Sequence, residues 1–500
     1  MTVQTTADAY LGVDLGTSSV KVVLVTQQGE EVAHADAAYA VHHPSPGWAE
    51  SGPADWWRAT TTAVREALAA APQVRPVSVG LSGQMHGVVP TRADGTPARS
   101  AILWADARAE GELDAYRSLP PDTRHRLANP LSPGMAGPIL GWLVRHERDV
   151  VGAMRWALQP KDWVRLQLTG EIHTEPSDAS ATLMYDVVGD TWDKDVIDVL
   201  GIDADVLPPV LPSSGSRAGH LTPGAAELLG LTAGITVAAG AADTAAAALG
   251  SGLVTPGTAQ LTIGTGIQIV TPTDQPPGRT SHPVTHYYRA ATDTGHYRMA
   301  AVLNGGLALG WVCETLNASW AELYSAAARA PKADDPIFLP HLNGERTPYM
   351  DPSMRGAWTG LMPQHTRTDL LRSALEGVAF ATAEALAALF PGGPAVDHLR
   401  LAGGGTAAPA WRQMLADVLD LELRAVAVPG ASGRGAAFLG ARAAALVDEQ
   451  QIVALGTPAV TSVVRPDPGS AARHHDRRTR FRETVDHLRS ASPSSCQGFS

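Results

Sequence analysis

The stretch Tyr10 to Val25, YLGVDLGTSSVKVVLV, constrains this chain more than any other. Two apolar runs, Tyr10–Val13 and Val20–Val25, flank a tight polar turn, Asp14-Leu15-Gly16-Thr17-Ser18-Ser19. The β-branched residues on both sides favour strands, and a glycine supplies the unusual backbone angles of the turn. One carboxylate, one glycine and three hydroxyls exceed what a turn requires. Backbone amides and hydroxyls there can hold phosphate oxygens, and a carboxylate can hold the Mg²⁺ that travels with them. An ordinary hairpin with a polar tip is the alternative.

The pattern restarts near Gly257. Thr258–Ile263 reads as a strand, Gly264-Thr265-Gly266 as a turn and Ile267–Val270 as the return strand. The recurrence predicts two similar domains with a boundary between about 245 and 257. A third apolar strand, Leu399–Ala402, runs into Gly403-Gly404-Gly405-Thr406. None of these turns has P-loop or dinucleotide-fingerprint spacing. Each alone fits a structural turn; three in two halves favour a nucleotide clamp.

Between these landmarks the spacing predicts a strand over Glu30–Val41 and a helix over Trp56–Ala71, capped by Asp55 with its apolar face through Trp57, Val64 and Leu68. A strand follows at Val77–Ser82. Residues 110–235 read as mainly helical, including Lys161 to Gly170, where glycine ends the helix. Helices are expected from Thr368 or Asp369 onward through Leu389, at Pro409–Leu421, and over Ala436–Val447 after Gly433-Arg434-Gly435. Arg473–Arg489 reads as a charged terminal helix with His474-His475 solvated, and Ser490–Ser500 as disordered.

Three further places carry candidate chemistry. Asp243 ends a strand and opens an Ala-rich helix. Apolar surroundings would raise its pKa toward general-base work, whereas a plain helix N-cap is the alternative. Gln84-Met85-His86 forms a loop at a strand's C-terminal end, where α/β folds place ligands. Gln and His offer hydrogen bonds to hydroxyls and Met a pliant wall; a satisfied structural His is the other reading. Trp104 with Asp106 and Arg108 offers an aromatic face beside polar groups, which suits a sugar, or a core Trp beside an ion pair.

Composition excludes several classes. A net charge of −12 lacks the basic surplus of a nucleic-acid binder. Two cysteines, Cys313 and Cys496, give no disulfide framework and suit a reducing cytoplasm. The N-terminus lacks signal-peptide features. Ile235–Val254 is long enough to span a bilayer, but it is mostly Ala and Gly and places Asp243 centrally, at a cost of about 3 kcal/mol. It reads as a buried segment of a protein without membrane partners.

Taken together, LGVDLGTSSVKVVL, GLSGQMHGVV, ILWADAR, KDWVRLQLTG, GAADTAAAALG, LTIGTG, FLPHLNGERTPY, LRLAGGGT and GRGAAFLGA resemble the FGGY family of carbohydrate kinases. The resemblance runs from Tyr10 to Leu446. It implies an α/β fold of two ribonuclease-H-like, actin/hexokinase-type domains flanking a deep catalytic cleft. Residues 8–250 would bind sugar, 251–448 nucleotide, and 449–500 would form an extension. GQMHG followed by ILWADAR resembles the branch acting on D-xylulose; the glycerol branch has Arg-Glu where Met85-His86 stands. Ala105 and Ala107 replace the Asn and Gly frequent in relatives.

By this resemblance Asp243 is the general base, and Gln84, Met85, His86, Trp104, Asp106 and Asn304 surround the sugar. Asp14 holds Mg²⁺. Gly16, Thr17, Ser18, Gly264, Thr265 and Gly266 face the transferring phosphoryl, and Gly403, Gly404, Gly405 and Thr406 the adenosine of ATP. A homodimer also fits. The alternatives are another sugar or polyol kinase acting on ribulose, gluconate or similar, a catalytically silent sugar-binding relative, and an actin-like filament protein.

Overall fold

The computed structural model describes residues 6–280, 282–393 and 395–491. Two sheets of seven strands organise it. In the first, Ala7–Leu15, Ser19–Thr26 and Glu31–Ala38 form an antiparallel meander. Val74–Gly83 then joins parallel to Ala7–Leu15, and Thr236–Ala238 parallel to Val74–Gly83. The second sheet repeats this order. Gln260–Ile263, Ile267–Thr273 and His296–Val302 are antiparallel; His398–Ala402 and Glu422–Val426 follow in parallel. This is the ribonuclease-H-like order expected of both halves, and the two hairpins occupy equivalent positions.

The first turn is tighter than the sequence suggests. The strand runs through Asp14 to Leu15, so the turn proper is Gly16-Thr17-Ser18, closed by the Gly16 amide donating to the Ser19 carbonyl at 3.0 Å. Alternation along the strand therefore governs where Asp14 points.

Other boundaries shift for identifiable reasons. The first long helix is Pro53–Ala70, because proline pre-sets the first helical turn. Gly52 is its N-cap, and Asp55 lies inside, pairing with Arg58 at 2.6 Å. Its buried face holds Trp56, Ala63, Val64 and Ala67 rather than Trp57 and Leu68. Helix Arg367–Leu389 is capped by Thr366, with Asp369 closing the capping box, not by Thr368 or Asp369. Ile235–Val254 is two short strands and helix Asp243–Gly250, and among the described residues no helix is long and apolar enough to cross a membrane.

Helix Ala431–Ala443 starts before Gly433-Arg434-Gly435 and contains them. Although late in sequence, it lies across the first sheet. A Cβ on Gly80 would sit 1.8 Å from the Ala436 carbonyl oxygen, and one on Gly12 2.0 Å from that of Gly433. Only glycine permits such backbone contact. Helix Asp243–Gly250 packs alongside, where a Cβ on Gly435 would meet the Ala246 oxygen at 1.9 Å. The halves are also stitched by Asn129, whose amide accepts from the Tyr287 backbone N–H at 3.0 Å and donates to the Tyr287 carbonyl at 2.9 Å.

The chain's end is part of the second lobe. Val460–Val464 pairs with Glu422–Val426 as an edge strand, and Pro468–Ala491 is a helix. His474 is not solvated. Its Nδ1 lies 2.8 Å from the buried Glu376 carboxylate, which Arg477 also engages. Phe481 and Val485 of the same helix enter the core around Leu375, Phe380 and Trp411. Residues 492–500, including Cys496 and most of the segment expected to be disordered, lie outside the described residues.

Candidate functional site

Strand register brings the first-half candidates to one edge. Leu15 pairs with Gly83, and Gly83 with Ala242. Past those three positions the chain leads to Gly16-Thr17-Ser18, to Gln84-Met85-His86 and to Asp243. Asp14 and Asp243 thus lie near one strand end, close enough for the Asp14 charge to act on Asp243.

Asp243 is the first residue of its helix, with Ala242 as N-cap. Its Oδ1 accepts from the Thr244 amide at 2.5 Å and the Thr244 hydroxyl at 3.1 Å. Oδ2 has no partner among the described residues. Burial raises its pKa to about 6, with the Asp14 charge adding to the rise and the Thr244 bonds opposing it. Asp14 is also raised, mainly by burial, with the Ser82 hydroxyl and Lys21 ammonium offsetting part. Its Oδ1 is buried without a hydrogen-bond partner. An orphaned carboxylate oxygen beside a second carboxylate fits a hard divalent cation that keeps most of its waters.

His86 is held under constraint. It has φ of 74°, a left-handed conformation rare outside glycine. Its amide donates to Gln159 Oε1 at 3.2 Å, and its Nδ1 lies 2.7 Å from the Ala181 carbonyl. Burial lowers its pKa to about 4, and the Arg346 charge adds to this. The ring is therefore neutral, Nδ1 carries the proton to the carbonyl, and Nε2 is an acceptor. Met85 is buried beside it against Ala181, Ala242 and Tyr288. Trp104 is 36% exposed and donates its indole N–H to the Thr17 hydroxyl at 3.0 Å.

Three expected sugar contacts are also bonded to the protein around the site. Gln84 Nε2 donates to the Gly16 carbonyl at 3.2 Å, fixing the first turn. Asp106 has a fully buried carboxylate, taken by the Ala49 amide at 2.6 Å and by Arg108 at 2.8 Å. Arg108 in turn lies 3.6 Å over the Trp48 ring. Asn304 is fully buried and donates to the Gly344 carbonyl at 2.7 Å and to Glu345 at 3.2 Å. Asp106 and Asn304 have their polar atoms bonded within the protein, whereas Gln84 Oε1 is buried without a hydrogen-bond partner.

The remaining turns lie side by side on the second sheet, since Thr262 pairs with Ala402. The Gly264 and Thr265 carbonyls accept from the amides of Gly306 and Leu307, each at 2.9 Å, holding the turn against the start of helix Gly306–Thr315. Gly403 has φ of 93°, and a Cβ there would lie 2.4 Å from the Ile263 oxygen. Gly404–Thr406 is a single 3₁₀ turn, with the Thr406 hydroxyl donating to the Gly403 carbonyl at 2.7 Å. Gly264, Thr265, Gly403 and Gly404 are exposed.

The structure adds residues that spacing did not single out. Lys161, Asp162, Arg165, Glu175 and Asp178 form a fully buried ionic cluster, with Lys161 Nζ 2.6 Å from Asp162 and 3.1 Å from Asp178. Glu175 accepts from the Ser177 hydroxyl at 2.8 Å, and that hydroxyl accepts from the Ala242 amide at 3.0 Å. From the second half, His286, Tyr288, Tyr297 and Arg346 close the far wall. Tyr288 stands 6.2 Å from the His86 ring, and Arg346 lies 5.8 Å from the Trp104 ring. The charged Glu345-Arg346 pair inside a Pro/Gly-rich loop was the available signal.

Known proteins share this sequence pattern and fold. The chain matches the FGGY family of carbohydrate kinases, N-terminal domain, over residues 9–250 and the C-terminal domain over 259–444; it belongs to that family and is a carbohydrate kinase. Among relatives, the xylulose kinase of Escherichia coli (strain K12) is 35% identical over 419 residues, covering 83% of this chain and 85% of that one. The crystal structure of a xyloylose kinase from Brucella ovis superposes with a TM-score of 0.90 at 32% identity, covering 97% of this chain and 100% of that one. The xylulose kinase from Rhodospirillum rubrum gives 0.89 at 28%, covering 96% and 99%.

Proposed function

We propose that the protein transfers the γ-phosphoryl of ATP to the terminal hydroxyl of D-xylulose, giving D-xylulose 5-phosphate. The observation carrying this reading is the register that sets Asp243, its Oδ2 free, beside the Met85-His86 loop and one strand from Asp14. The similarity to xylulose kinases supports the choice of sugar.

Asp243 takes the proton from the sugar hydroxyl as its oxygen attacks phosphorus. A base so oriented contributes about 10²- to 10⁴-fold. Thr244 fixes which carboxylate oxygen is free. His86 Nε2 accepts from a sugar hydroxyl, Met85 packs its carbon face, and Trp104 lines the opening. Asp14 would hold Mg²⁺, which supplies charge neutralisation for the phosphates. Thr17, Ser18 and the amides around Gly264–Gly266 face the phosphoryl oxygens, and Gly403–Thr406 lies against the nucleoside. Residues 8–250 would thus carry the sugar and 251–448 the nucleotide.

ADP release over a panel of ketoses, polyols and sugar acids tests the assignment. D-xylulose is expected to give the highest kcat/KM. A preference for ribulose, gluconate or glycerol would reject the sugar and leave the kinase intact. Asp243→Ala should lower kcat by several orders of magnitude while sugar still binds; near-wild-type turnover would refute the base.

A further inference from the structure

Arg346 is a cation without a counter-ion. Among the described residues its guanidinium makes no ion pair and donates no hydrogen bond, although the residue is partly buried. The adjacent Glu345 acts on it through its charge and makes no ion pair with it. That carboxylate already accepts from the Leu303 amide at 2.8 Å, the Arg346 amide at 2.9 Å and Asn304 at 3.2 Å, and lies 3.1 Å from His341 Nδ1. Glu345 and Asn304 instead anchor the loop, so the guanidinium is presented from a rigid base.

Its surroundings are on both halves. The Trp104 ring lies 5.8 Å away, and its indole N–H donates to Thr17. The Arg346 charge is felt by His86 on the sugar loop and by His286 and Tyr288 on the facing wall. His286 Nδ1 is bonded to the Tyr288 hydroxyl at 2.7 Å, and its Nε2 is buried without a partner. A positive charge thus lies near neutral rings from both halves. Withdrawing a guanidinium from water without a partner is costly. The arrangement suits an anionic ligand beside Arg346.

The neutral sugar of the reaction proposed above cannot be that anion, but the group it acquires can. We propose that Arg346 receives the transferred phosphoryl group, engaging its oxygens during transfer and holding it on the product. The bond from the sugar's terminal oxygen to phosphorus forms, and the bond from phosphorus to the bridging oxygen of ATP breaks. The hydroxyl proton goes to Asp243, and the bridging electron pair leaves with ADP. A planar guanidinium suits this because it can grip two phosphoryl oxygens at once.

The inference rests on the kinase reading, and the test separates the two. Wild type, Arg346→Gln and Arg346→Lys are titrated calorimetrically with the sugar and, separately, with its phosphate ester, without nucleotide or metal. The sugar used is whichever wild type turns over best, so a wrong choice of ketose does not disturb the comparison. Arg346→Gln should bind the phosphate ester about tenfold or more weakly while sugar affinity stays within about twofold, and kcat should fall about 100-fold. Arg346→Lys should recover part of both losses. Equal weakening for sugar and ester would make Arg346 a sugar contact and overturn the proposal. So would unchanged ester affinity in a variant that melts like wild type. Should Arg346→Gln melt early, Arg346→Lys alone decides, since a point charge must then bind ester better than it binds sugar.

Discussion

The Ala242 amide donates to the Ser177 hydroxyl at 3.0 Å, one residue before Asp243. Ser177 is itself bonded to Glu175, which Ser214 also engages at 2.6 Å and which faces Lys161. The buried ions therefore reach the base through one backbone amide. Ser177→Ala should lower kcat about tenfold with KM for sugar nearly unchanged, because the change touches orientation and not binding. An equal rise in KM would place Ser177 in substrate binding instead.

Asp243 sets an acid limb. As the proposed base it would work only as the carboxylate, so kcat/KM should rise with pH and level off above about 6. The same shift has a stability cost of opposite sense. The folded state binds the proton more tightly than the unfolded chain, so stability falls as pH rises from the ordinary carboxylate range through about 6. Asp243→Asn should abolish turnover and raise unfolding free energy by about 1–2 kcal/mol at pH 7.5, water at the half-buried carboxylate limiting the gain. The gain should vanish below pH about 4. Urea titrations at the two pH values check this.

Gly80 has no room for a methyl group, since its Cβ would fall 1.8 Å from the Ala436 carbonyl oxygen. The obstacle is helix backbone, which cannot rotate away. Gly80→Ala should cost about 3 kcal/mol or more in urea unfolding. Helix Asp243–Gly250 packs against the same helix, so activity should fall further than stability alone explains.

Glu376 is fully buried between His474, Arg372 and Arg477, and these partners hold its pKa at about 2 against the cost of burial. Its folded value lies below the ordinary one, so this stabilisation is present above about 4.5 and lost as pH falls toward 2. Arg477 also donates to the carbonyls of Lys332, Asp335 and Pro336. Arg477→Ala should therefore cost about 3–5 kcal/mol at neutral pH, measured by denaturant melts. An effect below 1 kcal/mol would mean that the terminal helix is dispensable.

Local chemistry made much of this legible beforehand. The hairpin at residues 10–25, the Gly170 helix end and the strand leading into Gly403 are signalled by β-branched runs and glycines, which act over a few residues. The place of Asp243 at the head of a helix was legible for the same reason. What failed to show was partnership across the chain. Asp106 and Asn304 are bonded to Arg108 and Gly344, partners that spacing does not reveal. His474 looks solvated until Glu376, far away in sequence, takes it. Arg346 stands out only in the fold, because among the described residues no carboxylate pairs with its guanidinium, and spacing along the chain does not reveal that.

Helix Ala431–Ala443 carries a consequence for biosynthesis. The ribosome releases the strands of the first sheet long before the segment that covers one of their faces. Until residue 443 has emerged, the glycine-lined surface at Gly12 and Gly80 waits without its lid, and a chain cut after the first half would keep that surface bare. The nascent amino-terminal half is thus the stage most exposed to chaperones and to self-association.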